Sequence, residues 1–301
     1  MRRGWALGAL AATALLLIPA RASGAGAPQV LATSRYARVL GEAPARPLAA
    51  EVAAFVDAAA PRAAALTGAT DLSPIPTIVH RTRPEFLHAT GLPDWSSVVG
   101  LATFPQGVIH VDGTGLLASV RRVTAHEVGH IMEARRLGAA YPELPLWANE
   151  GIAEYLAGGE AAYQDPNAVA AVAQGKALPV ANLEAAFSEE DTVGFAYAES
   201  ASLITFLVAQ KGPEVISSLL TRVAEEGSFP KALKEVTGLT EGELDAAWQD
   251  SLRGRWGWIP FLDLNALIWM VMVVLLLIAL VRQLRERRRA RDNETEDAPR
   301  D

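Results

Sequence analysis

Short apolar runs alternate with longer stretches of helical periodicity in the first part of the chain. Residues 48–66 carry Ala and other apolar residues at helical spacing and predict a helix that Gly68 ends. The β-branched run 76–80 is typical of a strand. Residues 83–87 then predict the start of a short helix that ends at Gly91.

Two further apolar runs, residues 97–104 and 107–111, predict a pair of short strands. A Pro-Gln dipeptide at 105–106 separates the runs, and an Asp-Gly pair at 112–113 is typical of a turn. The two strands are therefore expected to form a β-hairpin.

The rest of the apolar pattern is helical. A helix is predicted to end at Gly138, because apolar residues recur before it at spacings of three, four and eight. These residues are Leu116, Val120, Val123, Ile131 and Ala134. Residues 145–155 predict a second helix and residues 181–256 several more, one of which begins at a capping box formed by Thr240 and Glu243. The predicted fold class is α+β, with a small antiparallel sheet followed by a helical C-terminal lobe.

The chain begins with the pattern of a secretory signal peptide, residues 1–22. Two arginines precede an apolar stretch, residues 5–18, and a proline and an Ala-Arg-Ala tripeptide follow it. Cleavage after Ala22 is expected, and an uncleaved anchor is the alternative. In both cases the residues that follow are predicted to be exported.

A second apolar stretch, residues 259–281, predicts a transmembrane helix, because residues 266–281 contain no charged or amide side chain. Six arginines follow between residues 282 and 291, and such a cluster marks the cytoplasmic side of a membrane. The prediction is a single-pass protein of the cell membrane, with residues 282–301 as a basic and then acidic cytoplasmic tail. The domain between the two apolar stretches then lies outside the cytoplasm.

Composition limits the chemistry of that domain. Residues 23–47 are rich in Ala, Gly, Pro and Arg without a sustained period and predict a linker, which places the domain at residues 48–258. Asp and Glu outnumber Lys and Arg by 34 to 27, which argues against nucleic acid as a partner. The chain has no cysteine, so any metal ion must be held by His and carboxylates. No pattern predicts an oligomeric state.

A His-Glu-Val-Gly-His motif, residues 126–130, lies inside the helix that is predicted to end at Gly138. On a helix His126 and His130 are one turn apart on one side, so both imidazoles can reach the same metal ion. Glu127 lies beside them, where its carboxylate can take a proton from a water molecule. The motif therefore predicts a metal site with Glu127 as the general base.

Catalytic zinc sites usually have three protein ligands, so a third ligand is needed. The best candidate is Glu150, because a short connection would fold the second predicted helix back on the first. Two histidines and a glutamate suit zinc better than magnesium or calcium. Glu154 lies one turn beyond Glu150 and is expected to accept a hydrogen bond from the outer nitrogen of one histidine. The alternative is that Glu154 itself is the third ligand.

The motif, followed by Asn-Glu-Gly-Ile-Ala-Glu-Tyr at 149–155, resembles the gluzincin branch of zinc peptidases and, more closely, the bacterial peptidase MA-like domains. The resemblance covers about residues 48–256. It includes three further segments, residues 75–91, 107–111 and 197–203. It implies a thermolysin-like core of zincin helices with Glu150 as the glutamate ligand. Glu154 stands where gluzincins often have an aspartate, which affects the orientation of the histidine rings.

The resemblance also implies a mechanism of peptide hydrolysis. Glu127 would take a proton from water activated by zinc and return it to the leaving amine. Tyr197, at the start of a predicted amphipathic helix, resembles the tyrosine that stabilises the tetrahedral intermediate in some related enzymes, and a core role is the alternative. His110 is a second candidate for this role, and its strand, predicted to lie at the sheet edge, could pair with an extended peptide.

The predicted function is a membrane-anchored zinc metallopeptidase that acts on a peptide or protein substrate. Two alternatives are open. One is a non-catalytic domain that binds a peptide or a membrane partner on the same fold, and the other is hydrolysis of a non-peptide amide or ester. Glu127 would be unnecessary for a structural zinc ion, which favours an enzyme.

Overall fold

A computed structural model describes residues 28–94, 96, 98–158, 177–189, 191–256, 269–283 and 285. The predicted signal peptide, residues 1–22, lies outside the described residues, as do residues 259–268 of the predicted membrane span and most of the tail. The described residues form a mixed, mostly helical α+β structure with one small sheet, which confirms the predicted class.

The sheet has five strands in the order β1-β2-β3-β5-β4. They are β1 Gln29–Thr33, β2 Ala37–Gly41, β3 Ile75–His80, β4 Gly100–Thr103 and β5 Val108–Asp112. Strands β4 and β5 pair antiparallel, which confirms the predicted hairpin. The prediction of an antiparallel sheet is wrong at the centre, where β2 pairs parallel with β3 and β3 parallel with β5. Each parallel pair is joined by a connection that contains a helix, as parallel neighbours require.

The first two strands correct the prediction of a linker over residues 23–47. Residues 29–41 form the antiparallel pair β1–β2 at one edge of the sheet. Within β2, Ala37 and Val39 are fully buried and Arg38 between them is exposed. Strands of five residues in a segment rich in small residues carry too short an alternation to be distinguished from an irregular arm.

Nine α-helices accompany the sheet in the described part of residues 28–256. They are α1 Arg46–Thr67, α2 Arg83–Thr90, α3 Leu117–Leu137, α4 Leu146–Gly158, α5 Val180–Ala186, α6 Val193–Lys211, α7 Glu214–Glu226, α8 Phe229–Thr237 and α9 Glu241–Trp256. Gly68 and Gly91 end α1 and α2 in the left-handed conformation, as predicted. The capping box is also confirmed, because Thr240 and Glu243 exchange backbone-to-side-chain hydrogen bonds of 2.7 and 3.3 Å.

Helices α1 and α3 pack against each other on one face of the sheet, over Val79, Ile109 and Val111. Helix α4 lies between α3 and α6. Gly129 of α3 permits its close approach to α3, and Gly151 of α4 permits its close approach to α6. A Cβ atom at Gly129 of α3 would lie 3.1 Å from Cα of Ala153 in α4. This packing brings the motif helix α3 and the glutamate-bearing helix α4 together.

Two apolar helices bear on the predicted membrane span. Among the described residues, α6 is the one helix long and apolar enough to cross a membrane, but most of its side chains are buried inside the domain. Residues Trp269–Gln283 form a shorter apolar helix whose large hydrophobic side chains are exposed. The span over residues 259–281 stays a prediction.

Candidate metal centre

Helix α3 places His126 and His130 one turn apart with their rings almost perpendicular, at 84°. The two Nε2 atoms converge to 3.0 Å, and both rings are largely buried between α3 and α4. The sequence predicts this convergence, because residues four apart on a helix share one side.

Helix α4 brings Glu150 to the same point. Its Oε2 atom lies 3.1 Å from Nε2 of His126 and 3.5 Å from Nε2 of His130. The 3₁₀ segment Gly138–Glu143 connects α3 to α4 and folds the second helix back on the first, as predicted. These three residues offer one ligand atom each within 4.8 Å of one another, an arrangement that could hold a metal ion.

Glu154 lies behind His126, away from the three converging atoms. Its Oε1 atom is 3.3 Å from Nδ1 of His126, and its other oxygen forms an ion pair with Arg122. The structure therefore places Glu154 at the outer nitrogen of a candidate ligand, and places Glu150 among the ligand atoms. This geometry favours the first of the two alternatives for the third ligand.

Glu133 occupies the matching position behind His130, and the sequence reasoning missed it. It is fully buried, and its Oε2 atom lies 3.9 Å from Nδ1 of His130. Burial raises the pKa of the Glu133 carboxyl to about 7, against the lowering effect of His130. The available signal was an acidic residue three positions after His130, on the same side of the helix.

Glu127 lies under the edge strand β4. Burial raises the pKa of Glu127, whereas the two histidines and a hydrogen bond from the backbone of Ala102 oppose this shift. A Cβ atom at Gly100 would lie 2.9 Å from Oε1 of Glu127, so the strand crosses directly over the carboxylate. The structure thus brings the predicted general base close enough to both histidines and Glu150 for their charges to act on it.

The carboxylates around the histidines determine their charge. Burial lowers the pKa of His126, but hydrogen bonds with Glu150 and Glu154 outweigh it and raise the pKa to about 9. The pKa of His130 is also raised, since the charge of Glu150 outweighs burial. The same interactions lower the pKa of Glu150 against its own burial. The carboxylates around the two histidines therefore favour a positive charge between these side chains.

Tyr197 lies beside the site, on α6. Its ring is 6.3 Å from that of His126 and 5.1 Å from that of Phe187. Burial and the nearby carboxylates raise the pKa of Tyr197, so its hydroxyl stays protonated and able to donate. The prediction that its helix is amphipathic is wrong, because α6 is buried on nearly all sides from residue 198 to residue 207.

A second tyrosine, Tyr141, interacts with His130, Glu133 and Glu150 and was not predicted. It lies in the connection between α3 and α4, where its hydroxyl accepts a 2.8 Å hydrogen bond from the Asn149 side chain. Its ring contacts Phe104, which follows strand β4. Burial raises the pKa of Tyr141 to about 12, and the charge of His130 partly opposes this. Asn149, the residue before Glu150, therefore helps to position the Tyr141 hydroxyl near the two histidines and Glu150.

His110 does not contribute to the site, and its strand is not an edge strand. Strand β5 lies between β3 and β4, and Ile109 and Val111 point into the core beneath α3. His110 lies on the other face of the sheet, because side chains alternate along a strand. There its Nδ1 atom is 3.0 Å from Nε2 of His80, and burial lowers its pKa to about 4.

Comparison with known protein families agrees with this geometry. The profile of the peptidase MA superfamily matches residues 56–254. This interval begins in α1, ends in α9 and contains His126, Glu127, His130 and Glu150. A search of curated proteins finds no match. The profile covers well over half of the chain. The chain therefore belongs to the peptidase MA superfamily.

Proposed function

We propose that the protein is a zinc metallopeptidase of the gluzincin type. The observation that carries this proposal is the triangle of ligand atoms from His126, His130 and Glu150, with sides of 3.0, 3.1 and 3.5 Å. Two ligands about 2.0–2.1 Å from a zinc ion at the tetrahedral angle lie roughly 3.3 Å apart. The three side chains therefore fit zinc without rearrangement.

The chemistry of the donor set supports the same ion. Magnesium and calcium prefer shells made of oxygen atoms, whereas two imidazoles and one carboxylate are typical of catalytic zinc. The surroundings also favour a dication, because the carboxyl groups of Glu127, Glu133, Glu150 and Glu154 surround two histidines. Among the described residues, Arg122 is the one arginine that forms an ion pair with any of these four glutamates, and its partner is Glu154.

Glu127 performs the proton transfers in the proposed reaction. His126, His130 and Glu150 would hold the zinc ion, which would supply Lewis-acid chemistry toward a peptide carbonyl and a water molecule. Glu127 takes a proton from the attacking water and passes it to the nitrogen of the leaving amine. Its burial under β4 keeps the carboxylate free of competing solvent.

Two tyrosines are candidates for the donor that stabilises the oxyanion. The ring of Tyr197 lies 6.3 Å from that of His126, and Tyr141 interacts electrostatically with His130. Both keep their protons, since burial raises both pKa values. A hydroxyl that is already buried and oriented stabilises developing negative charge better than one that must lose water first.

Strand β4 supports an extended peptide as the substrate. It pairs with β5 on one side and has no strand on its other side among the described residues. An extended peptide can add to such an edge through backbone hydrogen bonds. Because β4 crosses over Glu127, a peptide bound in this way would pass beside the general base.

Membrane anchoring outside the cytoplasm is the second part of the proposal. The helix Trp269–Gln283 exposes its large hydrophobic side chains, which suits a lipid environment. Arg282 and the arginines after it support a cytoplasmic C-terminus. The substrates would then be exported or membrane-bound polypeptides within reach of a tethered domain.

Metal analysis of the purified full-length chain tests the proposal. The wild-type protein should contain one zinc ion per chain, and a chelator should remove both the ion and peptide hydrolysis. His126→Ala should lose the metal while His88→Ala, an exposed histidine on α2, should retain it. A wild-type chain that stays metal-free in the presence of zinc would contradict the proposal.

A further inference from the structure

Two buried polar groups behind the proposed zinc site face each other without a hydrogen bond. Neither oxygen of Glu133 has a hydrogen-bond partner among the described residues, and Nδ1 of His130 has none either. The two groups are separated by 3.9 Å, slightly more than hydrogen-bonding distance. One is a potential donor and the other an acceptor, so a small movement of the ring would join them.

The position of Glu133 is unfavourable for folding alone. A carboxyl group with no exposed surface and no hydrogen bond loses its hydration without compensation. Glu150, on the neighbouring helix, adds electrostatic repulsion to this cost. An apolar residue or a glutamine at the same position of α3 would be a cheaper choice for stability. The buried acid is therefore expected to have a role outside the stability of α3.

Glu154 stands in the corresponding place behind the other histidine, whose Nδ1 atom also has no hydrogen-bond partner among the described residues. It lies 3.3 Å from Nδ1 of His126, in the same relation that Glu133 has to His130. A carboxylate that accepts the outer N–H of a histidine fixes the tautomer that leaves Nε2 free, and makes the ring a stronger ligand. Arg122 balances the charge of Glu154, whereas no Arg or Lys pairs with Glu133 in the described residues.

We propose that Glu133 is a positioning residue that accepts the Nδ1–H hydrogen bond of His130 and so directs Nε2 of that ring toward the metal. This inference rests on the proposed zinc site. Because Glu133 pairs with no Arg or Lys among the described residues, its carboxylate is stabilised through His130 when a dication binds. Replacement of Glu133 should therefore weaken zinc binding without destabilising the metal-free chain.

The test compares Glu133→Gln with the wild type in the full-length, detergent-purified chain. Zinc affinity is measured by competition with a chelator, and thermal unfolding is measured on the metal-free protein. Glu133→Gln should bind zinc about 10- to 100-fold more weakly. Its metal-free form should unfold at the same or a higher temperature. Glu143→Gln, at an exposed position of the connection to α4, should change neither quantity.

A spectroscopic measurement adds a readout that a structural role would not move. The visible absorption of the cobalt-substituted protein should shift in Glu133→Gln, because the ligand strength of His130 changes. Equal zinc affinity in Glu133→Gln and wild type would overturn the inference, as would a metal-free variant that unfolds earlier or fails to fold. Absence of zinc binding by the wild type would instead refute the proposed function, so the two failures are distinguishable.

Discussion

Gly100 in strand β4 lies directly over the carboxylate of Glu127. A Cβ atom at Gly100 would approach Oε1 of Glu127 to 2.9 Å and Cγ1 of Val123 to 2.2 Å. Only a residue without a side chain therefore allows the edge strand and the motif helix to come this close. The distance between the proposed general base and strand β4, to which a substrate peptide is proposed to add, depends on this glycine.

Replacing Gly100 with Ala should reduce catalysis while leaving metal binding intact. The new methyl group must displace either the strand or Glu127, and misplacement of a catalytic group by about 1 Å can cost about 100-fold in rate. We expect kcat to fall by about 10- to 100-fold with an unchanged zinc content. Gly242→Ala, at a helical position with open space around it, is the control and should keep full activity. Unchanged kcat in Gly100→Ala would contradict the proposed arrangement.

The two glutamates of α4 should differ in their effect on metal content. Glu150→Ala removes a ligand atom and should abolish stable zinc binding, whereas Glu154→Gln should weaken it by about 10- to 100-fold. Metal analysis after dialysis against limiting chelator separates the two outcomes. Retention of zinc by Glu150→Ala with loss in Glu154→Gln would reverse the assignment of the third ligand.

Zinc binding should release protons at neutral pH. The pKa of His126 is raised to about 9 and that of His130 is also raised, so protons compete with a metal ion for these rings at neutral pH. Ligation requires neutral imidazoles, and lowering the pH therefore strengthens the competition from protons. We expect a net release of protons on zinc binding at pH 7, and an apparent affinity that rises with pH until the rings are neutral. Calorimetric titration in buffers of different ionisation enthalpy measures this release, and a value near zero would refute it.

The close contact of α4 with α6 should make Gly151 sensitive to substitution. A Cβ atom at Gly151 would lie 2.6 Å from the backbone oxygen of Ser200. Gly151→Ala should therefore lower the free energy of unfolding by about 1–3 kcal/mol through overpacking. Gly194→Ala, at a helical position with nothing within 4 Å, should be neutral or slightly stabilising. Urea unfolding followed by tryptophan fluorescence compares the two.

The features predicted correctly from the sequence are local. The spacing of His126 and His130, the glycine ends of α1 and α2, and the capping box of α9 all depend on residues within a few positions of each other. The position of Glu150 was also predicted, because a short connection leaves a second helix few ways to pack.

The features that were missed depend on contacts between distant segments. The parallel pairing of β2 with β3 is set by the packing of α1 across the sheet, and no short-range pattern reports it. Glu133 is recognisable only when its burial is known, since an acid on a helix is usually solvated. Tyr141 gains its position from Asn149 and Phe104, which belong to different elements of the fold.

The turnover of a peptide library by zinc-loaded wild type and Glu127→Gln tests the central claim most directly. Gln keeps the shape of the side chain but cannot accept the proton, so both proteins should hold one zinc ion per chain. We expect the wild type to hydrolyse peptides and Glu127→Gln to be slower by about 10²- to 10⁴-fold. Full activity in the variant, or no peptide hydrolysis by a zinc-loaded wild type, would contradict the assignment of this chain as a metallopeptidase.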